Sequence, residues 1–107
     1  MPETVYNKLV RDKIPSIIAG NNETAITRIL TDDEYKFALL EKLVEEAREL
    51  LNSPGDIKER ADIGEVLSAL DEVFGWSQAD IQSARDSKNA ARGGFTGRVY
   101  LEKTIDG

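Results

Sequence analysis

Apolar residues recur at intervals of three and four along most of the chain, which is the spacing of one face of an α-helix. The pattern predicts three long helices, over residues 31–51, 56–74 and 77–92. Each predicted helix is preceded by a side chain that can cap it: Thr31, Asp56 and Ser77. The turn at residues 52–55 is short, so the first two helices should be antiparallel neighbours.

The remaining segments predict smaller elements. Residues 9–18 predict a short helix, which Pro15 either interrupts or begins. Residues 24–30 and 95–102 are rich in β-branched or aromatic side chains and predict two short strands that could pair as a ribbon. We therefore expect a single, mainly α domain over residues 1–107: an antiparallel bundle of three long helices, a short N-terminal helix and a small two-stranded β ribbon.

Acidic residues lie on the apolar side of the first two long helices. Glu46 falls at the edge of the apolar arc of the first helix, with Glu49 one step further out, whereas Glu59 and Asp62 fall inside the arc of the second. A carboxylate on a core face is costly unless it is paired or binds a metal. The antiparallel hairpin would bring both pairs together near the turn, where four carboxylates repel one another unless a divalent cation binds them. Glu65 lies at the border and could be a fifth acidic group.

The alternative is that these glutamates belong to an ordinary solvated helix face. Glu41 and Glu45 fall on the outer face of their helix, and we interpret them in this way. Lys42 could form a simple surface pair with Glu46, four residues later, and Glu59 could only complete a capping box.

Composition narrows the chemistry further. The chain has 107 residues, a net charge of −6, and neither cysteine nor histidine. Thiolate and imidazole ligands are thereby excluded, so a metal must be held by oxygen, as magnesium, manganese or calcium is. The acidic charge disfavours binding to duplex nucleic acid. We expect no membrane segment and a cytoplasmic location, because charged residues interrupt every apolar run, including those near the N-terminus.

Two basic clusters could bind phosphate groups. Lys8 and Arg11 lie near the N-terminus, and Lys88 and Arg92 lie at the end of the third long helix, before Gly93-Gly94. Lys88 and Arg92 would also suit the negative end of a helix dipole, and Arg11 could merely pair with its neighbour Asp12. Basic residues beside an acidic cluster together favour a metal-bound polyphosphate as the ligand.

Three segments, in order along the chain, resemble one known family. They are Glu-Glu-Ala-Arg-Glu at 45–49 followed by Glu-Arg-Ala-Asp at 59–62, Tyr-Asn-Lys-Leu-Val-Arg-Asp-Lys-Ile-Pro at 6–15, and the closing segment from Lys88 through Arg92-Gly93-Gly94-Phe95. The chain is thus similar, over nearly its whole length, to the MazG-like all-α nucleoside triphosphate pyrophosphohydrolases. Within that superfamily it looks like the small house-cleaning enzymes related to phosphoribosyl-ATP pyrophosphohydrolase.

The resemblance implies an activity and roles for these residues. Glu46, Glu49, Glu59 and Asp62 would bind Mg²⁺ (or Mn²⁺), with Glu45 in support, and Lys8, Arg11, Lys88 and Arg92 would bind phosphates. The reaction would cleave a nucleoside triphosphate between its α and β phosphates, with Glu46 or Glu49 as the general base. The family is usually dimeric or larger. Only nine residues separate Glu49 from Glu59, which is short for the superfamily and implies a tight hairpin.

Two other functions compete with this one. Phosphoribosyl-ATP pyrophosphohydrolase would use the same chemistry on a different substrate, and a helical binding module would keep the fold without catalysis. The nucleobase is left open, because each of four aromatic side chains could stack on a base or belong to the core: Tyr6, Tyr35, Trp76 and Phe95.

Overall fold

The computed structural model describes residues 2–107 and shows a mainly α protein. Over these residues it contains four helices: α1 (Ile14–Gly20), α2 (Asp32–Asn52), α3 (Ile57–Phe74) and α4 (Gln78–Arg92). None of these four helices has the length and apolar character needed to cross a membrane. The chain divides into two compact units, the first ending at Gly75 and the second comprising Trp76–Gly107. Helix α4 belongs to the second unit and α2 and α3 to the first, so the three-helix bundle stays a prediction.

The three long helices begin at the predicted caps. The Thr31 hydroxyl accepts a hydrogen bond from the backbone N–H of Glu34, whose carboxylate accepts one in return from the backbone N–H of Thr31, completing a capping box. The side chains of Asp56 and Ser77 cap α3 and α4 by accepting hydrogen bonds from the backbone N–H groups of Lys58 and Asp80, respectively. Gly75 ends α3 in the left-handed conformation with φ of +72°, which a glycine adopts without strain.

Helices α2 and α3 pack against each other and enclose a small apolar core. Its buried residues are Leu39, Val66 and Leu70, with exposed fractions of 3%, 7% and 2%. Leu39 lies in the first half of α2 and packs with Leu70 near the end of α3, so the two helices run antiparallel, as predicted. Partly buried side chains surround this core: Leu9, Tyr35, Leu43, Ala69 and Val73.

The short N-terminal helix begins later than residue 9. Helix α1 starts at Ile14 and places Pro15 in its first turn, where the missing backbone N–H needs no partner within the helix. Pro15 therefore lies at the start of the helix and does not interrupt it. Leu9 lies outside the helix and packs on the core of the α2–α3 hairpin.

The predicted β ribbon is not found: residues 24–30 and 95–102 contain no strand. Ile29 and Val99, from the two segments, are 95% and 91% exposed. Arg98 has a φ of +56°, and its backbone N–H closes a turn on the carbonyl of Phe95, which is incompatible with an extended strand there. A strand is stable only with a partner, which the spacing of side chains within either segment does not supply.

Candidate metal centre

Four carboxylates converge beside the turn between α2 and α3. One oxygen from each of them lies within 4.8 Å of the others, in the set Glu46, Glu49, Glu59 and Asp62. Each pair is separated by three residues and therefore lies on one helix face. The four residues expected from the sequence are thus brought together, and we refer to them below as the acidic cluster. Glu65, considered as a fifth member, is exposed and lies outside it.

Glu46 is the deepest member of the acidic cluster. It is 6% exposed, whereas the nearby apolar residues Leu40 and Val44 on the same helix are 43% and 49% exposed. The expectation from helical periodicity placed Glu46 only at the edge of the apolar arc. Packing of α3 against α2 covers the side of α2 that carries Glu46 rather than the centre of its apolar arc.

Two carboxylate oxygens in the acidic cluster are buried without a hydrogen-bond partner, Oε2 of Glu46 and Oε2 of Glu59. A buried polar atom left unsatisfied costs about 1–3 kcal/mol, and more when it is charged. Neither a solvated helix face nor a capping-box role accounts for these two oxygens. A cation bound between the helices would satisfy both.

The electrostatics of Glu46 reflect its neighbours. Burial and the adjacent carboxyl group of Glu49 raise the pKa of Glu46, and the ammonium of Lys42 only partly offsets them. Lys42 Nζ lies 3.4 Å from Oε1 of Glu46. The negative charge of the acidic cluster is therefore only partly compensated by the protein.

Lys42 contacts two carboxylates, whereas the sequence suggested a pair with Glu46 alone. The simplest expectation was a surface pair with Glu46, but the Lys42 side chain is only 17% exposed and also donates a hydrogen bond to Glu45 at 3.3 Å. Spacings of three and four residues place both carboxylates on its side of the helix. That spacing is the sequence signal that could have identified the double contact.

Two of the predicted phosphate ligands meet carboxylates of the hairpin. Arg11 Nη2 lies 2.8 Å from Oδ1 of Asp62, and Lys8 Nζ lies 3.0 Å from Oε1 of Glu45. The pairing considered between Arg11 and its neighbour Asp12 is therefore not the contact made. These ion pairs attach the N-terminal segment to the hairpin beside the acidic cluster.

Glu45, predicted to face outward, is instead partly buried between two lysines. Burial raises the pKa of its carboxyl group, but hydrogen bonds from Lys8 and Lys42 outweigh burial and lower that pKa overall. The same bond to Glu45 raises the pKa of Lys8. Glu45 thus holds Lys8 and Lys42 in place, which agrees with a supporting position next to the acidic cluster.

The other two predicted phosphate ligands lie on α4, in the second unit. Lys88 lines a surface depression there together with Trp76 and Ile81, and Arg92 is the last residue of the helix. The position of Arg92 also matches the alternative, a favourable charge at the negative end of the helix dipole. Binding of phosphate by Lys88 and Arg92 stays a prediction.

The donor set of the acidic cluster suits a hard divalent cation. All four side chains offer carboxylate oxygens, which Mg²⁺, Mn²⁺ and Ca²⁺ prefer. The two buried, unsatisfied oxygens are the structural observation that tests the fit, and they agree with a bound cation. The residues present therefore fit a divalent metal.

Comparison with known proteins adds one relative. No protein-family model matches the chain, and no solved structure matches it. An uncharacterized protein of Mycolicibacterium smegmatis is 51% identical over 43 residues, a segment that covers 40% of this chain and 44% of that protein. The match thus spans less than half the length of either chain.

Proposed function

We propose that this protein is a Mg²⁺-dependent nucleoside triphosphate pyrophosphohydrolase of the MazG-like type, with Mn²⁺ able to replace Mg²⁺. It would act in the cytoplasm and cleave a nucleotide, preferentially a non-canonical one, between its α and β phosphates. One observation carries the proposal: four carboxylates converge within 4.8 Å and include two buried, unsatisfied oxygens. Lys8 and Arg11 lie beside them, where they can meet phosphate oxygens.

The residues would divide the chemistry between them. A bound Mg²⁺ would neutralise phosphate charge and lower the pKa of a water molecule. In a chain without histidine, Glu46 or Glu49 would accept the proton of the attacking water. Lys and Arg side chains would hold the pyrophosphate and align the reacting groups, which favours the transition state.

Release of pyrophosphate from a panel of canonical and damaged nucleotides tests the proposal. Glu49→Gln and Asp62→Asn should abolish Mg²⁺-dependent release while far-ultraviolet circular dichroism shows a folded protein. Glu41→Gln on α2 and Glu65→Gln on α3 are matched controls, because both residues are exposed and lie outside the acidic cluster. Full activity in either cluster variant would contradict the assignment.

Phosphoribosyl-ATP is an alternative substrate for the same site. Nothing in the described residues favours it over a nucleoside triphosphate, since both substrates present a metal-bound polyphosphate to the acidic cluster. Measuring turnover of both under identical conditions separates the two enzymes, and the better substrate identifies the function.

A helical binding module without catalysis is the alternative of another class. If the acidic cluster binds Mg²⁺ and nucleotide, a non-hydrolysable triphosphate with Mg²⁺ should raise the melting temperature. At one hundred times the dissociation constant the stabilisation is about 2.7 kcal/mol. Stabilisation without any pyrophosphate release from the panel would favour the binding module, and no stabilisation would remove the proposed site altogether.

We also propose that the chain assembles into a homodimer or a larger homo-oligomer. Helix α2 exposes large apolar side chains spaced three, four and seven residues apart: Phe37, Leu40, Val44 and Leu51. A stripe with this spacing is the usual contact face between helices. Burial of the stripe against a second copy would remove apolar area from water without covering Glu46 and Glu49, which lie on the opposite side of α2.

A further inference from the structure

Arg11 reaches the acidic cluster from a distant part of the sequence. It lies 51 positions before Asp62, and its guanidinium donates to Oδ1 of that carboxylate at 2.8 Å. Two residues earlier, Leu9 packs on the apolar core of the hairpin. This packing holds the backbone next to Arg11 against α2 and α3, so the ion pair does not depend on a free chain end finding its partner.

The positive charges around the acidic cluster compensate only part of its negative charge. Its four carboxylates are met by two cations, Arg11 at Asp62 and Lys42 at Glu46. One divalent cation would compensate the two negative charges that are left. Lys8 does not alter this balance, because its partner Glu45 lies outside the cluster.

Two of the carboxylate oxygens in the acidic cluster are buried and have no hydrogen-bond partner. Glu46 is 6% exposed, and its Oε2 accepts no hydrogen bond, as is also true of Oε2 of Glu59. Arg11 contacts neither oxygen; it contacts Asp62, which is half-buried at the side of the cluster. Arg11 therefore contacts a different carboxylate from the two whose buried oxygens still lack a partner.

We propose that Arg11 is an internal counter-cation of the acidic cluster, which competes with a divalent ion for Asp62, lowers the affinity for that ion and limits the cluster to one ion per chain. This proposal rests on the metal site of the proposed function and goes beyond it. Because linkage is reciprocal, the bound ion weakens the pair between Arg11 and Asp62 to the same degree. The guanidinium that is released in this way can bind a phosphate oxygen of the substrate.

Binding of Mn²⁺ to the purified protein, followed by the electron paramagnetic resonance signal of the free ion, tests the proposal without measuring activity. The wild type should bind one Mn²⁺ per chain. Arg11→Met and Arg11→Gln remove the charge and should each bind Mn²⁺ about tenfold more tightly, as expected for loss of one positive charge close to a divalent ion. Arg11→Lys keeps the charge and should bind like the wild type.

Lys8→Met is the matched control. Lys8 lies on the same segment and also forms an ion pair with the α2–α3 hairpin, but with Glu45 rather than with a member of the acidic cluster. Its removal should raise the affinity clearly less than the removal of Arg11 does, because its partner Glu45 is not one of the four carboxylates that would hold the ion. An equal gain of affinity in Lys8→Met and Arg11→Met would show a general surface-charge effect and would overturn the proposal.

The remaining outcomes separate this proposal from the proposed function. Binding of one Mn²⁺ with equal or weaker affinity in both neutral Arg11 variants would overturn the role of Arg11 and leave the metal site intact. Two ions per wild-type chain would overturn the limit to one ion that we infer from the charges. No binding by the wild type would overturn the metal site and the role of Arg11 together. The Nε–H resonance of Arg11, identified by its loss in Arg11→Met, should also shift on addition of Mg²⁺, and an unmoved signal would contradict the competition.

Discussion

Lys42 Nζ lies 3.4 Å from Oε1 of Glu46, and the other oxygen of that carboxylate is buried without a hydrogen-bond partner. The lysine thus neutralises one side of a deeply buried acid and leaves the other oxygen unsatisfied. This relationship distinguishes Glu46 from a surface glutamate in a simple ion pair, because a surface carboxylate would complete its hydrogen bonds with water.

Glu46→Gln should make the protein more stable in the presence of a chelator and insensitive to Mg²⁺. The change removes one of four mutually repelling charges but preserves the shape of the side chain, so we expect a gain of about 1 kcal/mol in the free energy of unfolding. Urea denaturation with EDTA and with Mg²⁺ measures both effects. Glu41→Gln, at an exposed position of the same helix, should change neither. Lower stability of Glu46→Gln in EDTA would contradict our interpretation of the buried charge.

The ion pair at the start of α2 should make stability depend on acid pH. Two hydrogen bonds from Arg28, together with those from Thr31, lower the pKa of Glu34 to about 2, whereas the unfolded chain titrates near 4.3. The folded pKa is below the unfolded one, so the stabilisation is fully present above about pH 4.3 and is lost as the pH falls toward 2.

Arg28→Met tests this dependence. It should lower the melting temperature at pH 6, and its difference from the wild type should shrink as the pH falls to 2, where Glu34 is about half protonated in the wild type. Lys13→Met, at an exposed position outside this cap, serves as the control and should show no such trend. A difference between Arg28→Met and the wild type that stayed constant from pH 6 to pH 2 would be inconsistent with an ionised Glu34.

Because the apolar core is small, Leu70 of α3 should contribute far more to the free energy of unfolding than Leu67 on the same helix. Leu70 is 2% exposed and Leu67, one turn away, is 40% exposed. Leu70→Ala should cost about 2–5 kcal/mol of unfolding free energy, because it leaves a cavity between α2 and α3. Leu67→Ala should cost less than about 1 kcal/mol. Similar losses in the two variants, measured by urea denaturation, would show that the hairpin core is not centred on Leu70.

The exposed stripe of α2 leads to a prediction about assembly. Val44 is 49% exposed at the middle of the stripe, so Val44→Lys would place a charge inside a contact between two copies. We expect a lower sedimentation coefficient and a monomeric mass for this variant in analytical ultracentrifugation. Ser68→Lys adds the same charge at an exposed position of α3 and should leave the mass unchanged. A wild type that is itself monomeric at all concentrations would contradict the proposed oligomer.

Local sequence signals account well for the long helices. The cap at Thr31, the cap at Asp56 and the glycine at Gly75 each act within a few residues, so their effect on the backbone can be predicted without knowing the fold. The same is true of the spacing within each acidic pair. The prediction of two short strands was wrong, because a strand needs a partner that local sequence does not specify.

The sequence by itself determined where α2, α3 and α4 begin and end, and that Glu46 and Glu49 share one helix face while Glu59 and Asp62 share another. Helical periodicity and capping are local, so these features follow from neighbouring residues. Only the tertiary structure decided how deeply Glu46 is buried, which of its oxygens Lys42 satisfies, and that Arg11 meets Asp62 from 51 positions away. Those contacts depend on the side on which α3 and the N-terminal segment pack against α2, and that choice is made by the whole unit rather than by any one stretch of sequence.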